Sequence, residues 1–443
     1  MNAVAAAAMG AGPVAYIMKR YPRLTETFIL NEIRAMERLG ADLRIFSLLP
    51  PEPPPHHPMV AEVRAPVRAV PMAGAWVDLL RAHGAAIRAA PLRYAGAFGR
   101  AAWWSVQSPT PLSVWKQFTR AGFVATACRR DGIRHIHAHF ANAPAAVARF
   151  ASLMSGIPFS FTAHAKDLYL TPKQVISRRA RAASFVATCT GYNAQYLRDL
   201  LGAAESHKIN LVYHGIDLTH FSARIAIGAA IGAAIGAAPI PLVLSVGRLV
   251  PKKGHDDLIE ACALLRDAGV AFRCMIVGAG PLHAELAALI ERHDLAGTVT
   301  LEGAMTHAAL IDLYRRATLF ALAPRIADDG DRDGIPNVIA EAMAIGVPVV
   351  STDVSGIPEV VRDGETGRLV PPRDARALAD AMGRLLADPD QAQALAAAAR
   401  ALLERDFDLW TTTTRLHGLM GCADCAPAGT GLVCTAPAVA AAG

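Results

Sequence analysis

The chain reads as an α/β protein made of two doubly wound, Rossmann-like parallel sheets, and three observations predict it. Short β-branched strand patterns alternate with helical patterns through both halves of the 443 residues, as in parallel sheets covered by helices on both faces. That length exceeds what one hydrophobic core fills, so two domains are expected. The segments richest in chemistry are Ala163-His164, Gly247-Arg248, Gly278-Ala279-Gly280 and the stretch from Pro324. Each follows a strand pattern, where open α/β sheets bind their ligands.

In chain order, residues 14–18 form the first expected strand, and Thr25 suits the cap of a helix after the loop at 19–23. That helix carries Ile29, Ile33 and Met36 on one stripe and stops at Gly40. A strand at 43–48 enters the proline-rich loop 50–55. Later strands are expected at 133–139, 159–162, 185–189 and 209–213. Residues 1–224 form an N-terminal Rossmann-like domain on this reading. From Ala226 to Ala238 the chain repeats Ile-Gly-Ala-Ala, with Gly228, Gly232 and Gly236 four apart as in membrane-helix dimers. Glycine and alanine contribute little insertion energy, and Pro239 and Pro241 interrupt a helix, so 225–240 is read as a low-complexity linker rather than a span. The second domain, 241–403, has expected strands at 242–246, 273–277, 299–301, 319–323, 347–351 and 367–370. Its helices begin near Asp256, Pro281, Thr306, Pro336 and Asp374. A last helix at about 404–420 is expected to pack back on the first domain, and the Gly/Ala/Cys/Pro tail 421–443 to be disordered.

The net charge of +6 is too modest to point to nucleic acid. Between residues 60 and 130, however, ten Lys and Arg face only Glu62 and Asp78. Seven cysteines form an odd, scattered set, and several sit in apolar runs as buried thiols do, which suits a reducing compartment. No Lys or Arg precedes Lys19, so a secretory start is not expected and a cytoplasmic location is.

The stretch from Asp328 to Thr352 organises the chemistry. An acidic loop runs through Gly334-Ile335-Pro336-Asn337 into a short helix that Gly346 closes. Pro336 suits the first helical position, Gly334 permits close backbone approach, and the helix N-terminus is a natural anion seat. Glu341, one turn past Asn337, shares its side of the helix. Gly247-Arg248-Leu249-Val250-Pro251-Lys252-Lys253-Gly254 connects a strand to a helix, and its cations suit a diphosphate leaving group. Gly278-Ala279-Gly280 is a second strand-to-helix glycine turn that a nucleotide could approach. A nucleotide sugar fits the combination.

These motifs, SVGRLVPKKG, IVGAGP and DGIPNVIAEAMAIGVPVVST, resemble in order and spacing the donor domain of family-4 retaining glycosyltransferases of the GT-B fold. YPRLTETFILNEI, HIHAHFA, FTAHAKDLY and VYHGIDLTHF resemble members that build bacterial exopolysaccharide, capsule or colanic-acid-like repeats. The resemblance implies that Arg248 and Lys253 hold the donor diphosphate, helped by N–H groups near Ile335 to Asn337. It implies that Glu341 binds the nucleotide ribose and that Asp333, where the family usually has Glu, contacts the donor sugar. Gly247, Gly278, Gly280, Gly334 and Pro336 would shape the donor site, and His164 would face the reacting sugar. Thr25, Glu26 and His139 would stand on the acceptor side. The implied donor is a UDP- or GDP-sugar, the implied acceptor a saccharide or lipid-linked saccharide, and no metal cofactor is needed. No side chain stands out as a nucleophile, so front-face attack with retention is expected.

Other readings compete. Asp329, Asp331 and Asp333 could hold a divalent metal with phosphates, although sugar hydroxyls are adequate partners. His135, His137 and His139 share one strand face and invite zinc, but without a further ligand nearby. Cys422 and Cys425 have redox or zinc spacing but no second pair. The basic stretch from Arg64 to Arg130 interleaves Trp76, Leu79, Leu80, Ile87, Leu92, Phe98, Trp103 and Trp104. It suits either a helix lying on an anionic membrane or two ordinary amphipathic helices with solvated arginines.

Overall fold

The computed structural model describes residues 12–23, 26–54, 56–71, 74–221 and 240–422. The first half contributes strands β1 (Val14–Met18), β2 (Leu43–Ser47), β3 (Val67–Ala69), β4 (His135–His139), β5 (Phe159–Ala163), β6 (Val186–Thr188) and β7 (Ile209–Leu211). The second contributes β8 (Leu242–Val246), β9 (Arg273–Val277), β10 (Val299–Leu301), β11 (Leu319–Ala321), β12 (Val349–Thr352) and β13 (Arg368–Val370). Among the described residues these make two all-parallel sheets, ordered β3-β2-β1-β4-β5-β6-β7 and β10-β9-β8-β11-β12-β13. Both orders reverse beside their first strand, between β1 and β4 and between β8 and β11, and such a switch point opens a crevice.

Helices of the first half are α1 (Thr27–Arg38), α2 (Trp76–Ala89), α3 (Pro91–Gln107), α4 (Pro111–Arg130), α5 (Ala143–Ser155), α6 (Ala165–Tyr169), α7 (Lys173–Ala182) and α8 (Gly191–Leu201). The second half adds α9 (His255–Asp267), α10 (His283–Arg292), α11 (His307–Arg316), α12 (Asn337–Ile345), α13 (Ile357–Val360), α14 (Ala375–Ala387), α15 (Pro389–Asp406) and α16 (Leu409–Cys422).

Strand alternation splits each core in two. On β1, Ala15 and Ile17 face one cluster with Phe46 and Ile136. Val14, Tyr16 and Met18 face the other, where the α1 stripe of Ile29, Ile33 and Met36 covers them. On β8, Val243 and Leu244 diverge in the same way.

Three features differ from the sequence reading. β3 is an added edge strand of three residues with Val67 46% exposed, too short for an alternating pattern to register. The basic region holds three helices rather than two, α2 to α4. Within it Leu79 is buried and Trp104 packs on the core, while Trp76, Leu80, Ile87, Leu92, Phe98 and Trp103 are exposed. The expected last helix is two: residues 404–406 end α15, and α16 starts afresh at Leu409. The break has a cause in the crossing of two segments. Ile216 N–H donates to the Phe407 carbonyl at 2.8 Å and Leu409 N–H to the Ile216 carbonyl at 3.1 Å. Any Cβ on Gly215 would overlap Leu409 and Thr412. After the crossing, α16 buries Leu416 and Met420 beside Val14 and Leu30 of the first sheet's core.

Thr25, residues 225–239 of the expected linker, and the tail from 423 with Cys425 lie outside the described residues. Among the described residues no helix is long and apolar enough to cross a membrane.

Candidate active site

The loops leaving β8, β9 and β11 interlock through glycine. A Cβ on Gly278 would overlap the Gly247 carbonyl, one on Gly280 the backbone of Leu249, and one on Gly254 the Ala323 carbonyl. Gly278 also has φ of 152°, which L side chains resist. The cation loop and the glycine turn are thus pressed together at one end of the second sheet.

The acidic loop before α12 docks on that cation loop. Lys253 Nζ lies 2.6 Å from Asp333 Oδ2, and Lys252 Nζ lies 3.1 Å from both Asp333 Oδ1 and Asp331 Oδ1. Burial alone would raise the Asp333 pKa, but Lys253 and then Lys252 overcome it and hold the carboxyl at about 2. Arg248 is exposed and forms no ion pair among the described residues. Pro336 takes the cap position rather than the first helical one: its backbone is extended, with ψ of 124°, and its carbonyl accepts from Ile339 N–H at 3.0 Å. No side chain caps this helix end, so its positive pole stays open to an anion.

Glu341 sits one turn inward. Tyr314 Oη donates to Glu341 Oε2 at 3.1 Å. Burial pushes its pKa up to about 7, and the tyrosine bond offsets only part of that. Glu341 and Asn337 line a cleft between the sheets, faced from the first domain by Thr27, Phe28, Asn31 and His214. Arg248, Lys253 and Asp333 are not lining residues of that cleft; Asp333, paired with Lys253, lies on the loop that leads into the α12 N-terminus.

His164, at the end of β5, forms a capping box with Asp167, whose carboxylate accepts His164 N–H at 3.0 Å. An imidazole accepting the Asp167 N–H through Nδ1 carries its own proton on Nε2. That Nε2 is buried and has no partner among the described residues. Burial, then His214, His139 and His137, hold the His164 pKa well below the usual range, so the ring is a neutral donor. Phe28 stacks on His214 at 4.2 Å, and both rings pack on His164 at 5.2 and 5.1 Å. His139 is fully buried, with Nε2 3.2 Å from Glu32 Oε1. Glu26 pairs with Arg23 at 2.6 Å, and burial raises its pKa in spite of that partner.

Two residue groups have ligand atoms close enough for a metal, Glu32/His137/His139 and His164/Cys189/His214. Their hydrogen bonds suit other work. Both His137 ring nitrogens contact hydroxyls, of Ser160 at 2.8 Å and Thr162 at 3.0 Å, and His164 Nε2 carries a proton. In the acidic loop, Asp331 and Asp333 face lysines, and Asp329 accepts the Asp331 N–H.

The domains meet at residues that sequence reasoning missed. Glu359, on α13, accepts Gly191 N–H at 2.7 Å, Tyr192 N–H at 3.0 Å and Tyr213 Oη at 2.9 Å. It thereby caps α8 of the other domain. Thr190 lies between Gly334 and Gly356, whose Cβ atoms would stand 3.1 and 2.5 Å from its Cγ2. Arg332 stacks on Tyr169 at 4.1 Å, and Lys166 Nζ lies 3.9 Å from Asp331 Oδ2. One signal was available: Gly356-Ile357-Pro358-Glu359 repeats the Gly-Ile-Pro of residues 334–336. Tyr314 and Lys252 carried none beyond an apolar helix and a doubled lysine.

The family model described as Glycosyl transferases group 1 matches residues 238–402, and that of Glycosyltransferase Family 4 matches 25–220. The chain is 29% identical over 434 residues to an Escherichia coli K12 protein named as a colanic acid biosynthesis glycosyltransferase, WcaL, covering 92% of this chain and 99% of that one. It is 37% identical over 203 residues to the amylovoran biosynthesis glycosyltransferase AmsK of Erwinia amylovora, covering 46% and 48%. Among solved structures, Anabaena HepE in complex with UDP superposes with a TM-score of 0.67 at 18% identity, covering 91% of this chain and 98% of that one. With a family match in each half and a GT-B architecture of two facing Rossmann-like domains, the chain belongs to the family-4 glycosyltransferases.

Proposed function

We propose that the protein transfers a hexose from a UDP- or GDP-sugar to a lipid-linked saccharide during exopolysaccharide or capsule-type assembly, with retention of anomeric configuration. The observation that carries this reading is the uncapped N-terminus of α12, preceded by Asp333 with its partner Lys253 and followed one turn on by Glu341. The UDP in the HepE structure and the polymers named for WcaL and AmsK support the donor and the pathway class.

In this reading Arg248, Lys253 and the N–H groups of Ile335 and Asn337 bind the diphosphate. Gly247, Gly278, Gly280 and Gly334 let it approach the backbone, and Pro336 sets the entry of the helix. Glu341 accepts from the ribose hydroxyls, Asp333 and His164 Nε2–H hold the sugar, and Glu26 and His139, with Thr25, face the acceptor. The acceptor oxygen bonds to the anomeric carbon on the face the diphosphate leaves. The proton passes to the departing phosphate oxygen, so no protein nucleophile or metal cofactor takes part. Catalysis is positioning and charge stabilisation. The enzyme works in the cytoplasm, touching the membrane peripherally through residues 64–130.

Thermal shift against a panel of UDP- and GDP-sugars tests donor binding, because a bound donor raises the melting point by mass action. Arg248→Ala should lose both the shift and donor hydrolysis. NMR of the product tests stereochemistry, and an inverted anomer overturns the retaining assignment. Undiminished transfer in EDTA is expected. A donor-induced shift with neither hydrolysis nor transfer would instead indicate a non-catalytic saccharide-binding subunit.

A further inference from the structure

Four arginines gather where α3, α5 and α7 meet. The Arg149 guanidinium lies 4.0 Å from the centre of the Trp104 ring, and Arg178 lies 5.5 Å from the same ring. Arg100 is one turn before Trp104 on α3, so both share a side of that helix. Arg179 donates to the Ala141 carbonyl at 2.5 Å. Among the described residues no Asp or Glu forms an ion pair with Arg100, Arg149, Arg178 or Arg179, and the buried Arg149 Nε has no hydrogen-bond partner. Burial, then repulsion from Arg179, Arg178 and Arg100, lowers the Arg149 pKa to about 9. Asp167 offsets part of the charge on Arg179, but no carboxylate pairs with Arg100, Arg149 or Arg178 among the described residues; an anion relieves their repulsion, and guanidinium forks match phosphate.

The surroundings narrow the anion's source. Next to the cluster, Leu92, Trp103 and Val106 stand 88%, 63% and 83% exposed along α3. Eleven residues separate Leu92 from Trp103, close to three turns, so they form one stripe. A stripe of this kind beside a cationic pocket fits an interface that is apolar below and anionic at the headgroup level.

We propose that Arg100, Arg149 and Arg178, arranged around Trp104, bind the phosphate of an anionic membrane lipid while the exposed stripe of α3 lies against its acyl region. This rests on the peripheral membrane contact proposed above, and goes beyond it by replacing diffuse basic attraction with one defined headgroup site.

Flotation of the full chain with phosphatidylcholine vesicles, with and without about 30 mol % phosphatidylglycerol, tests it. The Arg100→Gln/Arg178→Gln variant should keep the wild-type melting point and donor hydrolysis but lose about thirtyfold in affinity for the anionic vesicles, the effect of two headgroup cations. Arg81→Gln/Arg88→Gln, on the neighbouring helix, should lose much less. Equal losses in the two variants would mean diffuse attraction and overturn the site. Unaltered binding of Arg100→Gln/Arg178→Gln overturns the site but leaves the membrane contact standing. Failure of the wild type to bind either vesicle overturns both. Release by inorganic pyrophosphate at constant ionic strength is expected, because it competes for the same guanidinium groups; thermal stabilisation by pyrophosphate in a protein that binds the two vesicle types equally would show a site for soluble phosphate and overturn the lipid assignment.

Discussion

Lys253 Nζ and Asp333 Oδ2 stand 2.6 Å apart, joining the loop after β8 to the loop before α12. Each is largely shielded from water, with side chains 12% and 17% exposed, and Lys252 completes the pair. Lys253 and Lys252 are therefore positioned by the carboxylate proposed to hold the sugar, and the two loops of the proposed donor site are set against each other.

Arg248 and Lys253 separate binding from stability. Arg248 is exposed and unpaired among the described residues, so Arg248→Ala should leave the melting point unchanged while lowering transfer by about 10²–10³-fold, the usual cost of losing one charge stabiliser. Lys253→Ala should lower activity comparably and also destabilise the fold by about 1–3 kcal/mol, because Asp333 keeps only Lys252. Thermal melts alongside donor hydrolysis distinguish the two.

Glu341 should impose a pH dependence on donor binding. Its folded pKa of about 7 lies above the ordinary carboxyl value, so the carboxylate proposed to accept ribose hydroxyls forms only as pH rises through 7. Donor affinity should increase across that range, and Glu341→Gln should flatten the profile. Tyr314→Phe removes the bond that favours the charged form, so it should move the midpoint upward. The sign for stability is opposite: a raised folded pKa contributes stability below about 4.5 that is lost as pH climbs through 7. Glu341→Gln should thus match the wild type at pH 4.5 and melt a few degrees higher at about pH 8. Equal melting points at both pH values would contradict the assigned burial.

Glu359 should act at a distance from the donor. Glu359→Ala removes the cap that α8 receives from the other domain, at a cost of about 1–2 kcal/mol. Hydrogen exchange should quicken at Gly191 and Tyr192, while the thermal shift from a soluble donor persists. Protection that stays as in the wild type would mean that α8 does not depend on this carboxylate.

Gly334→Ala should couple to Thr190 across the domains. The new Cβ would stand 3.1 Å from Thr190 Cγ2, tight enough to push the acidic loop from its seat and cost up to about 1–3 kcal/mol. Thr190→Ser deletes that methyl but keeps the hydroxyl that caps Asn193 N–H at 3.0 Å. Adding it to Gly334→Ala should restore both melting point and activity, and a purely additive double variant would place the strain elsewhere.

Strands β1, β8, β9 and β10 fall where the sequence pattern places them, because each reads as a short apolar or β-branched run with breaks on both sides. The Thr306 and Asp374 helix starts were legible because capping is local chemistry. β3 was not, since its three residues, Val67-Arg68-Ala69, bury no side chain and centre on an arginine, leaving no apolar run to read. Nor was the break at Phe407-Asp408, which exists because Ile216, nearly two hundred residues earlier, pairs there.

The sequence by itself determined the two-sheet architecture and the order of the loops at the sheet ends, which depend on local spacing along strands and helices; the resemblance of its motifs to family-4 glycosyltransferases singled out Arg248, Lys253, Asp333, Glu341 and His164 as the residues to follow. Only the tertiary structure decided that Lys253 pairs with Asp333, that burial beside Tyr314 lifts the pKa of Glu341, and that Glu359 caps a helix of the opposite domain. Those are contacts between segments far apart in the chain, whose energies depend on burial and distance, and neither quantity is written in a residue's neighbours.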